Sequence, residues 1–295
     1  MGSLVAAVGS YLDARAHGGL WYLRIEDLDR PRCRPEATDA ILQLLDAYGF
    51  EWDGEVLYQS QRDAIYHAAF EQLREQGDIY PCAYTRSELA DSRITPNIQR
   101  APDGAMIYPG TCRHALPEGR EPRAWRIRVD DEIIIFNDTL QGTIEQALAK
   151  TAGDFILRRA DGLYAYQLAV VVDDAAQGIT HVVRGADLLE STSRQILLQQ
   201  RLKLTTPRYT HLPVVLDATG EKLSKQTHAI PLEIHEAIPA LLCALDFLGQ
   251  QPPIELRQAR LSELWQWAIA HWSPRPLQEM PQYGNTKPID HFSGA

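Results

Sequence analysis

The chain has 295 residues, a mass of 33.2 kDa and a formal net charge of −10 at pH 7. Its length can bury a full core, whereas the acidic balance argues against indiscriminate nucleic-acid binding and no apolar run approaches the roughly 20 residues that span a membrane. Four scattered cysteines and an N-terminus without a secretory pattern predict a reducing, cytoplasmic location.

Alternating helices and strands are predicted in the first 77 residues. Apolar residues recur at helical spacing in 4–12, and Gly18-Gly19 ends that helix. Apolar residues then fill a strand, and each of two further helices is followed by a glycine. The strand is predicted at 20–25 and the two helices at 35–48 and 62–75.

The stretch 78–140 changes character and is predicted to be an inserted α+β module. It is rich in proline, arginine and turn residues, with short strands at 124–129 and 133–136. Its arginines indicate a local basic face that could contact nucleic acid despite the acidic balance. These arginines are Arg113, Arg120, Arg123, Arg126 and Arg128.

Alternation resumes after residue 140 and indicates the fold class. We predict an α/β fold with a doubly wound, Rossmann-type parallel sheet, the inserted module and a helical C-terminal part. Ligands of such sheets bind at the carboxyl ends of the strands. The remaining elements are predicted as strands at 155–158, 180–184 and 212–216, and as helices from Gln167, over 191–202 and over 232–272.

Charged and aromatic residues follow the ends of these strands. Arg24 and Glu26 end the first strand, and Glu26 could receive a substrate ammonium group. Tyr166 lies at a strand-to-helix junction, and Arg184 has the geometry to hold a carboxylate through two parallel hydrogen bonds. Taken singly, an ion-pair network at a helix start and a core tyrosine remain open interpretations.

Lys222 and Lys225 lie on a polar loop after the last predicted strand. Lysine is a compact charge on a flexible stem, suited to phosphate oxygens whose charge shifts during a reaction. A solvated surface loop is the alternative for an isolated pattern of this kind. Combined with the residues at the strand ends, in this order, the pattern is much more specific than any of its parts.

These segments match the class I glutamyl-type aminoacyl-tRNA synthetases in sequence and order, and the chain most resembles their short glutamyl-Q tRNA(Asp) synthetase family. The resemblance implies that Lys222 and Lys225 belong to a KMSKS-type loop in which Lys225 contacts ATP. It implies a glutamate site formed by Arg24, Glu26, Tyr166 and Arg184. The matching segments are 23–30, 164–174, 181–189 and 223–226.

The same resemblance implies a two-step ligase. Glutamate would attack the α-phosphate of ATP, accompanied by Mg²⁺, to give glutamyl-adenylate, and the glutamyl group would pass to the queuosine base of the tRNA(Asp) anticodon. Seventy residues follow Lys225, whereas a domain usually needs roughly 100, so we expect no separate anticodon-binding domain. A truncated ordinary glutamyl-tRNA synthetase is an alternative, which Gln226 and His228 disfavour.

A non-catalytic tRNA-binding paralogue is the second alternative, because of the N-terminus. Family members carry a strand, a Pro-Ser-Pro-Thr-Gly-type turn and a HIGH-type motif ahead of Gly-Ser-Leu, which here follows Met1 directly. Gly2 and Ser3 would be the last positions of that motif, at a helix start that helps to bind ATP. We expect a monomer without membrane contacts. Its expected segments are 1–77 and 141–230 for the catalytic domain, 78–140 for the zinc-type module and 231–295 for the helical part.

The insertion departs from the family pattern at one position. Cys82, Tyr108 and Cys112 match three of four family zinc ligands, but Tyr84 stands where the family has a cysteine. Structural zinc sites are nearly always four-coordinate with thiolate or imidazole ligands. His114 could substitute, but nothing requires it. We therefore favour a packed module without zinc over a working zinc site.

Overall fold

A computed structural model of the chain describes residues 1–29, 33–91, 99–101, 106–216 and 232–278. None of the helices in these ranges is long and apolar enough to cross a membrane. The helices are α1 Gly2–Ala16, α2 Pro35–Ala47, α3 Asp63–Glu75, α4 Arg86–Leu89, α5 Leu148–Thr151, α6 Tyr166–Ala176, α7 Leu189–Leu202, α8 Ala237–Phe247, α9 Leu261–His271 and α10 Arg275–Gln278. The strands are β1 Arg24–Ile25, β2 Leu57–Tyr58, β3 Ile79–Cys82, β4 Ala124–Ile127, β5 Ile133–Asp138, β6 Gly142–Ala147, β7 Ile156–Arg158, β8 His181–Gly185 and β9 Arg208–Leu212.

The first helix, α1, forms where the apolar spacing predicts it. Leu4, Val8 and Leu12 repeat every four residues and are buried on one face. The helix ends just before Gly18, whose φ of +63° lies in the left-handed region that glycine adopts without strain. At Gly9 an added Cβ would lie 2.5 Å from the Leu212 side chain, so glycine allows α1 to pack closely on the sheet.

The main sheet has the strand order β6-β5-β9-β8. Strand β9 runs parallel to both β5 and β8, whereas the β5–β6 hairpin is antiparallel. A separate parallel pair is formed by β1 and β2. The α/β prediction with parallel strands is therefore confirmed, although the sheet around β5 is mixed.

Two strand predictions were wrong in extent. The predicted strand 20–25 pairs only at Arg24 and Ile25. The last strand covers Arg208–Leu212 rather than 212–216, because Pro213 has no N–H to donate to a ladder and ends the pairing.

Strand pairing joins parts of the chain that the sequence assigned to different segments. In the sheet β3-β4-β7 the first two strands belong to the predicted insertion, and β7 follows residue 140. Likewise β5, inside 78–140, pairs with β9. The four segment boundaries therefore stay a proposal, and the described strands interlock across them.

Both edge strands β1 and β8 line one groove with a volume of about 780 Å³. The C-terminal half of α1 lines the same groove, through residues such as Asp13 and His17. Among the described strands, β1 pairs only with β2 and β8 only with β9, so each has an edge without a ladder partner.

The C-terminal helices α8 and α9 pack against α1 and share its hydrophobic core. Within it, Tyr11 makes edge-to-face contacts with Trp21, Phe50 and Trp265, at centroid distances of 4.8 to 5.3 Å. The predicted helical C-terminal part therefore braces the helix that precedes the strand-end residues. A second core lies between α3, α6, α7 and the sheets.

Candidate active site

Arg24 and Glu26 lie together at the end of β1, beside the start of the groove. Arg24 donates from Nη1 to Asp174 at 2.8 Å and to Gln177 at 3.0 Å. Its Nη2 reaches Glu26 at 3.4 Å. In this structure Arg24 thus links Glu26 to helix α6, whose acidic residues the sequence analysis did not use.

Asp173, next to Asp174 on α6, holds a buried set of donors behind this cluster. Its side chain is fully buried and accepts hydrogen bonds from Gln59 at 2.8 Å, Arg62 at 2.6 Å and Tyr66 at 2.8 Å. Two acids directly after the run Val170-Val171-Val172 were the available sequence signal. Buried carboxylates need such partners, and these bonds fix the start of α3 against α6.

The carboxylates of this cluster, Glu26, Asp173 and Asp174, lie among arginines. Arg24 contacts Glu26 and Asp174, and Arg62 contacts Asp173. Burial raises the pKa of Asp174, and Arg24 and Arg184 oppose that rise. Burial raises the pKa of Glu26, and Arg24 opposes that rise. The Glu26 side chain is 40% exposed, whereas those of Asp174 and Asp173 are 11% and 0% exposed. Glu26 is therefore the carboxylate of this cluster that a substrate ammonium could reach.

Tyr166 and Glu26 line one pocket with a volume of about 290 Å³. Tyr166 is the first residue of α6, and Ala165 before it is extended, so the strand-to-helix junction is confirmed. Burial raises the pKa of the Tyr166 hydroxyl, as does the nearby Glu26 carboxylate, and Arg184 lowers it. These electrostatic couplings show that Glu26, Tyr166 and Arg184 share one neighbourhood.

Arg184 lies on β8 and is half-buried beside this pocket. Its Nη2 donates to Thr192 and Gln195, each at 2.8 Å, and its Nε to His211 at 3.1 Å. The ring of Tyr209 lies under the guanidinium, 5.6 Å from centroid to Cζ. In the described part of the chain these bonds use Nε and Nη2, so Nη1 remains for a ligand.

A buried acid–imidazole pair supports Arg184, and the sequence analysis missed it. His211 Nδ1 lies 2.6 Å from an oxygen of Asp138, and both side chains are fully buried. Burial, followed by the effect of Arg184, lowers the pKa of His211, while its bond to Asp138 opposes this change. Asp138 is the last residue of β5, in the predicted insertion, and His211 lies on β9 ahead of the lysine loop, so no local pattern connects them.

The residues predicted to contact ATP fall into two sets, of which the structure describes one. Gly2 and Ser3 open α1, as expected for residues at the start of a ligand-binding helix. Lys222 and Lys225, with Gln226 and His228, lie outside the described residues.

The predicted zinc residues have partners within the protein. Cys82 Sγ donates to the Tyr108 hydroxyl at 3.5 Å, and that oxygen also accepts the Cys112 N–H at 2.8 Å. The Arg126 guanidinium lies 3.8 Å from the Tyr108 ring centroid. A fixed positive charge there opposes a second cation.

The fourth position of this module does not complete a zinc site. The Tyr84 ring lies under the Arg120 guanidinium, 4.4 Å from its centroid, and His114 is exposed. In the ranges that the structure covers, no three Cys, His, Asp or Glu side chains form a group that could hold a metal. The side chains present do not fit a structural zinc ion, and the zinc content of the protein stays a prediction.

Four of the five arginines expected to form a basic face bind acceptors within the protein. The guanidinium nitrogens that make these bonds are less available to an external ligand. The pairs are Arg113 with Asp130, Arg120 with Glu88, Arg126 with the Asp154 carbonyl and Arg128 with the Gly77 carbonyl.

Four arginines line a pocket of about 530 Å³, namely Arg123, Arg126, Arg159 and Arg194. Arg123 is exposed, whereas Arg159 donates to Asp29 at 2.9 Å and to Asp161 at 2.7 Å. Arg194 has a buried Nε without a hydrogen-bond acceptor in the described residues. A concavity with several arginines therefore lies between helix α7 and the packed region around Cys82, Tyr108 and Cys112, called the Cys82 module below.

Known proteins similar to this chain fall into one family. The model of "tRNA synthetases class I (E and Q), catalytic domain" matches residues 1–237. A glutamyl-Q tRNA(Asp) synthetase of Aromatoleum aromaticum is 56% identical over 281 residues, covering 94% of this chain and 87% of that protein. Another, from Dechloromonas aromatica, is 56% identical over 272 residues, covering 92% of this chain and 89% of that protein.

A solved structure shares the fold. The crystal structure of a glutamate tRNA ligase from Elizabethkingia meningosepticum in complex with its amino acid matches with a TM-score of 0.76 at 23% identity. The match covers 97% of this chain and 64% of the ligase, so the chain spans less than two thirds of that protein. The chain therefore belongs to the class I tRNA synthetases of the glutamyl and glutaminyl type and, within them, to the glutamyl-Q tRNA(Asp) synthetases, which are ligases.

Proposed function

We propose that the protein activates glutamate with ATP and transfers the glutamyl group to the queuosine base of tRNA(Asp). One observation carries this proposal: the partly exposed Glu26 carboxylate lines a pocket with Tyr166, whose hydroxyl also feels Arg184, an arginine with no hydrogen bond from Nη1 among the described residues. An amino acid carries both complementary groups. The high identity to glutamyl-Q tRNA(Asp) synthetases supports the choice of glutamate and of acceptor.

The site residues have separate tasks in this proposal. Glu26, held by Arg24, accepts the ammonium group of glutamate, and Tyr166 forms a wall of the pocket and offers its hydroxyl. Arg184 donates from Nη1 to a carboxylate of glutamate, because Nε and Nη2 are fixed by its neighbours. No side-chain nucleophile is needed, since the substrate carboxylate itself attacks the phosphate. The protein contributes alignment and charge stabilisation.

ATP binding is proposed for the start of α1 and for the lysine loop. Gly2 and Ser3 present backbone N–H groups at the positive end of the helix, which favours phosphate. Lys222 and Lys225 neutralise charge that grows on the leaving pyrophosphate. Mg²⁺ accompanies the ATP and screens its phosphates.

Recognition of tRNA is proposed for the pocket that Arg123, Arg126, Arg159 and Arg194 line. Among the described residues the exposed Arg123 side chain has no hydrogen-bond acceptor, and neither has Nε of Arg194, so both could bind phosphate oxygens. Single-stranded loops expose bases that proteins read by stacking and edge contacts. A monomer of the four proposed segments, 1–77, 78–140, 141–230 and 231–295, would meet one region of the tRNA, with an affinity that falls as salt rises.

The acceptor test uses the full-length protein and radiolabelled glutamate. We expect labelling of tRNA(Asp) only when it carries queuosine. Periodate, which cleaves cis-diols of the queuosine ring and of the terminal ribose, blocks the labelling, whereas removal of the 3′-terminal adenosine leaves it intact. Pyrophosphate exchange with glutamate and ATP, without tRNA, tests the first step alone.

Two outcomes would contradict the proposal and identify its alternatives. Charging of tRNA(Glu) that disappears with the 3′-terminal adenosine would indicate an ordinary glutamyl-tRNA synthetase. Binding of tRNA without pyrophosphate exchange by the full-length protein would indicate a non-catalytic paralogue. A Lys225→Ala variant that exchanges pyrophosphate as fast as the parent would remove the lysine loop from the mechanism.

A further inference from the structure

Among the described residues, the Arg184 guanidinium is held by hydrogen bonds to neutral partners. Thr192, Gln195 and His211 accept its hydrogen bonds, at 2.8, 2.8 and 3.1 Å. We propose that Asp138 and His211 are positioning residues for Arg184, which set its orientation towards the substrate carboxylate. The inference rests on the proposed function, in which Arg184 binds glutamate.

The hydrogen-bond chemistry of arginine decides the tautomer of His211. Arginine has only donors, so His211 Nε2, which faces Arg184 Nε, must be an acceptor without a proton. Nδ1 then carries the hydrogen and donates to Asp138 Oδ2 at 2.6 Å. The Thr192 hydroxyl, 3.1 Å from Nε2, contacts the same lone pair. Asp138 thus selects the imidazole tautomer that Arg184 requires.

Asp138 is itself fixed by the backbone around it. Its Oδ1 accepts three N–H groups, from Leu140 at 3.0 Å, Gln141 at 2.9 Å and His211 at 3.2 Å. These bonds lower the pKa of its buried carboxyl group together with His211, against the effect of burial. The pair therefore connects the turn after β5 to the side chain on β8, through β9 between them.

This arrangement makes Asp138→Asn an informative variant. Three backbone donors at Oδ1 require an oxygen there, so the carbonyl of the new amide takes that place and its NH₂ faces His211 Nδ1. His211 must then move its proton to Nε2, where it meets the Arg184 N–H. Two donors face each other, and Arg184 loses its acceptor, although size and fold are retained.

A His211→Gln variant is the matched control. Its amide nitrogen can donate to Asp138 while its oxygen accepts from Arg184, because the two amide atoms have the spacing of the ring nitrogens. This variant keeps a donor towards Asp138 and an acceptor towards Arg184 without an imidazole. His211→Leu removes both the donor and the acceptor, and Arg184→Ala removes the guanidinium group that they orient.

The experiment measures glutamate affinity by calorimetry and the His211 tautomer by ¹⁵N NMR of the imidazole. We expect Asp138→Asn and His211→Leu to weaken glutamate binding about tenfold or more, with His211→Gln within about threefold of the parent. In the parent, the ¹⁵N spectrum should show a proton on Nδ1; in Asp138→Asn it should be on Nε2. Thermal unfolding of each variant identifies any that fails to fold.

Separate outcomes would overturn the inference and the proposed function. A proton on Nε2 in the parent, or unchanged glutamate affinity in folded Asp138→Asn while Arg184→Ala is impaired, would overturn the positioning role alone. Equal losses of glutamate affinity in His211→Gln and His211→Leu would show that the effect of the imidazole does not depend on its donor and acceptor, and would also overturn the positioning role. Unchanged glutamate affinity in Arg184→Ala would overturn the proposed role of Arg184 itself.

Discussion

The candidate glutamate pocket and the Cys82 module each contain a glutamate beside an arginine, but the pKa values of the two carboxyl groups are shifted in opposite directions. In the pocket, the Glu26 carboxyl has a raised pKa, because burial outweighs the attraction of Arg24. In the module, the Thr85 backbone N–H and then Arg120 lower the pKa of Glu88 to about 2. Burial thus outweighs the one arginine beside Glu26, whereas hydrogen bonds and an arginine stabilise the charged form of Glu88.

Arginines differ between the two regions in the same way. Arg184 keeps a nitrogen for a ligand, whereas Arg126 donates to the Asp154 carbonyl and lies over Tyr108. A match to a family motif identifies both regions equally well, because a motif records residue types. It does not record which hydrogen-bonding groups of those residues remain free for a ligand. The state of each polar group therefore separates a binding site from a packed module that shares its family pattern.

The largest effect is expected from Arg126→Ala, which tests whether the module is held by its arginine. Arg126 is 8% exposed, so its removal leaves a cavity, an unpaired Asp154 carbonyl and a bare Tyr108 ring. We expect the free energy of unfolding to fall by about 2 to 4 kcal/mol, measured by urea denaturation.

Two variants control that measurement. Arg126→Met keeps the apolar stem and separates lost packing from lost charge. Arg120→Ala removes an exposed arginine that lies over Tyr84 and should leave the melting temperature unchanged. A stable Arg126→Ala protein would mean that the module needs no arginine and that another group fills its centre.

A smaller effect is expected from Glu26→Gln, measured as glutamate affinity. The substitution removes the charge that the ammonium needs while keeping shape, so binding should weaken about tenfold. Glu88→Gln, in the module, is the matched control and should bind glutamate like the parent. Equal affinity in Glu26→Gln would place the ammonium elsewhere in the acidic cluster, with Asp174 as the nearest candidate.

The smallest effect is expected from metal removal. We predict well under one zinc per purified chain, and a melting temperature that mild chelation leaves unchanged, since Tyr84 and Arg126 replace a ligand and oppose a cation. One equivalent of zinc that resists chelation, by metal analysis, would contradict this. Tyr84→Cys sharpens the comparison, because zinc uptake by that variant alone would attribute the loss to one residue.

Local patterns in the sequence determined the helices and the positions of several site residues. Apolar spacing and following glycines located α1, α2 and α3, because burial of one face and a left-handed turn are local requirements. The order of Glu26, Tyr166 and Arg184 after strand ends indicated a shared site, since parallel strands end at one edge of a sheet. Their roles as glutamate ligands remain a prediction.

Tertiary structure alone decided which polar groups were paired. The run of arginines predicted a basic face, yet four of the five meet acceptors that distant segments bring to them. Asp138 and His211 are 73 positions apart, and they meet because β5 and β9 pair with Asp138 opposite Tyr209. Sheet register is a non-local property, so the residue types are written in the sequence while their hydrogen-bond partners are set only when the strands align.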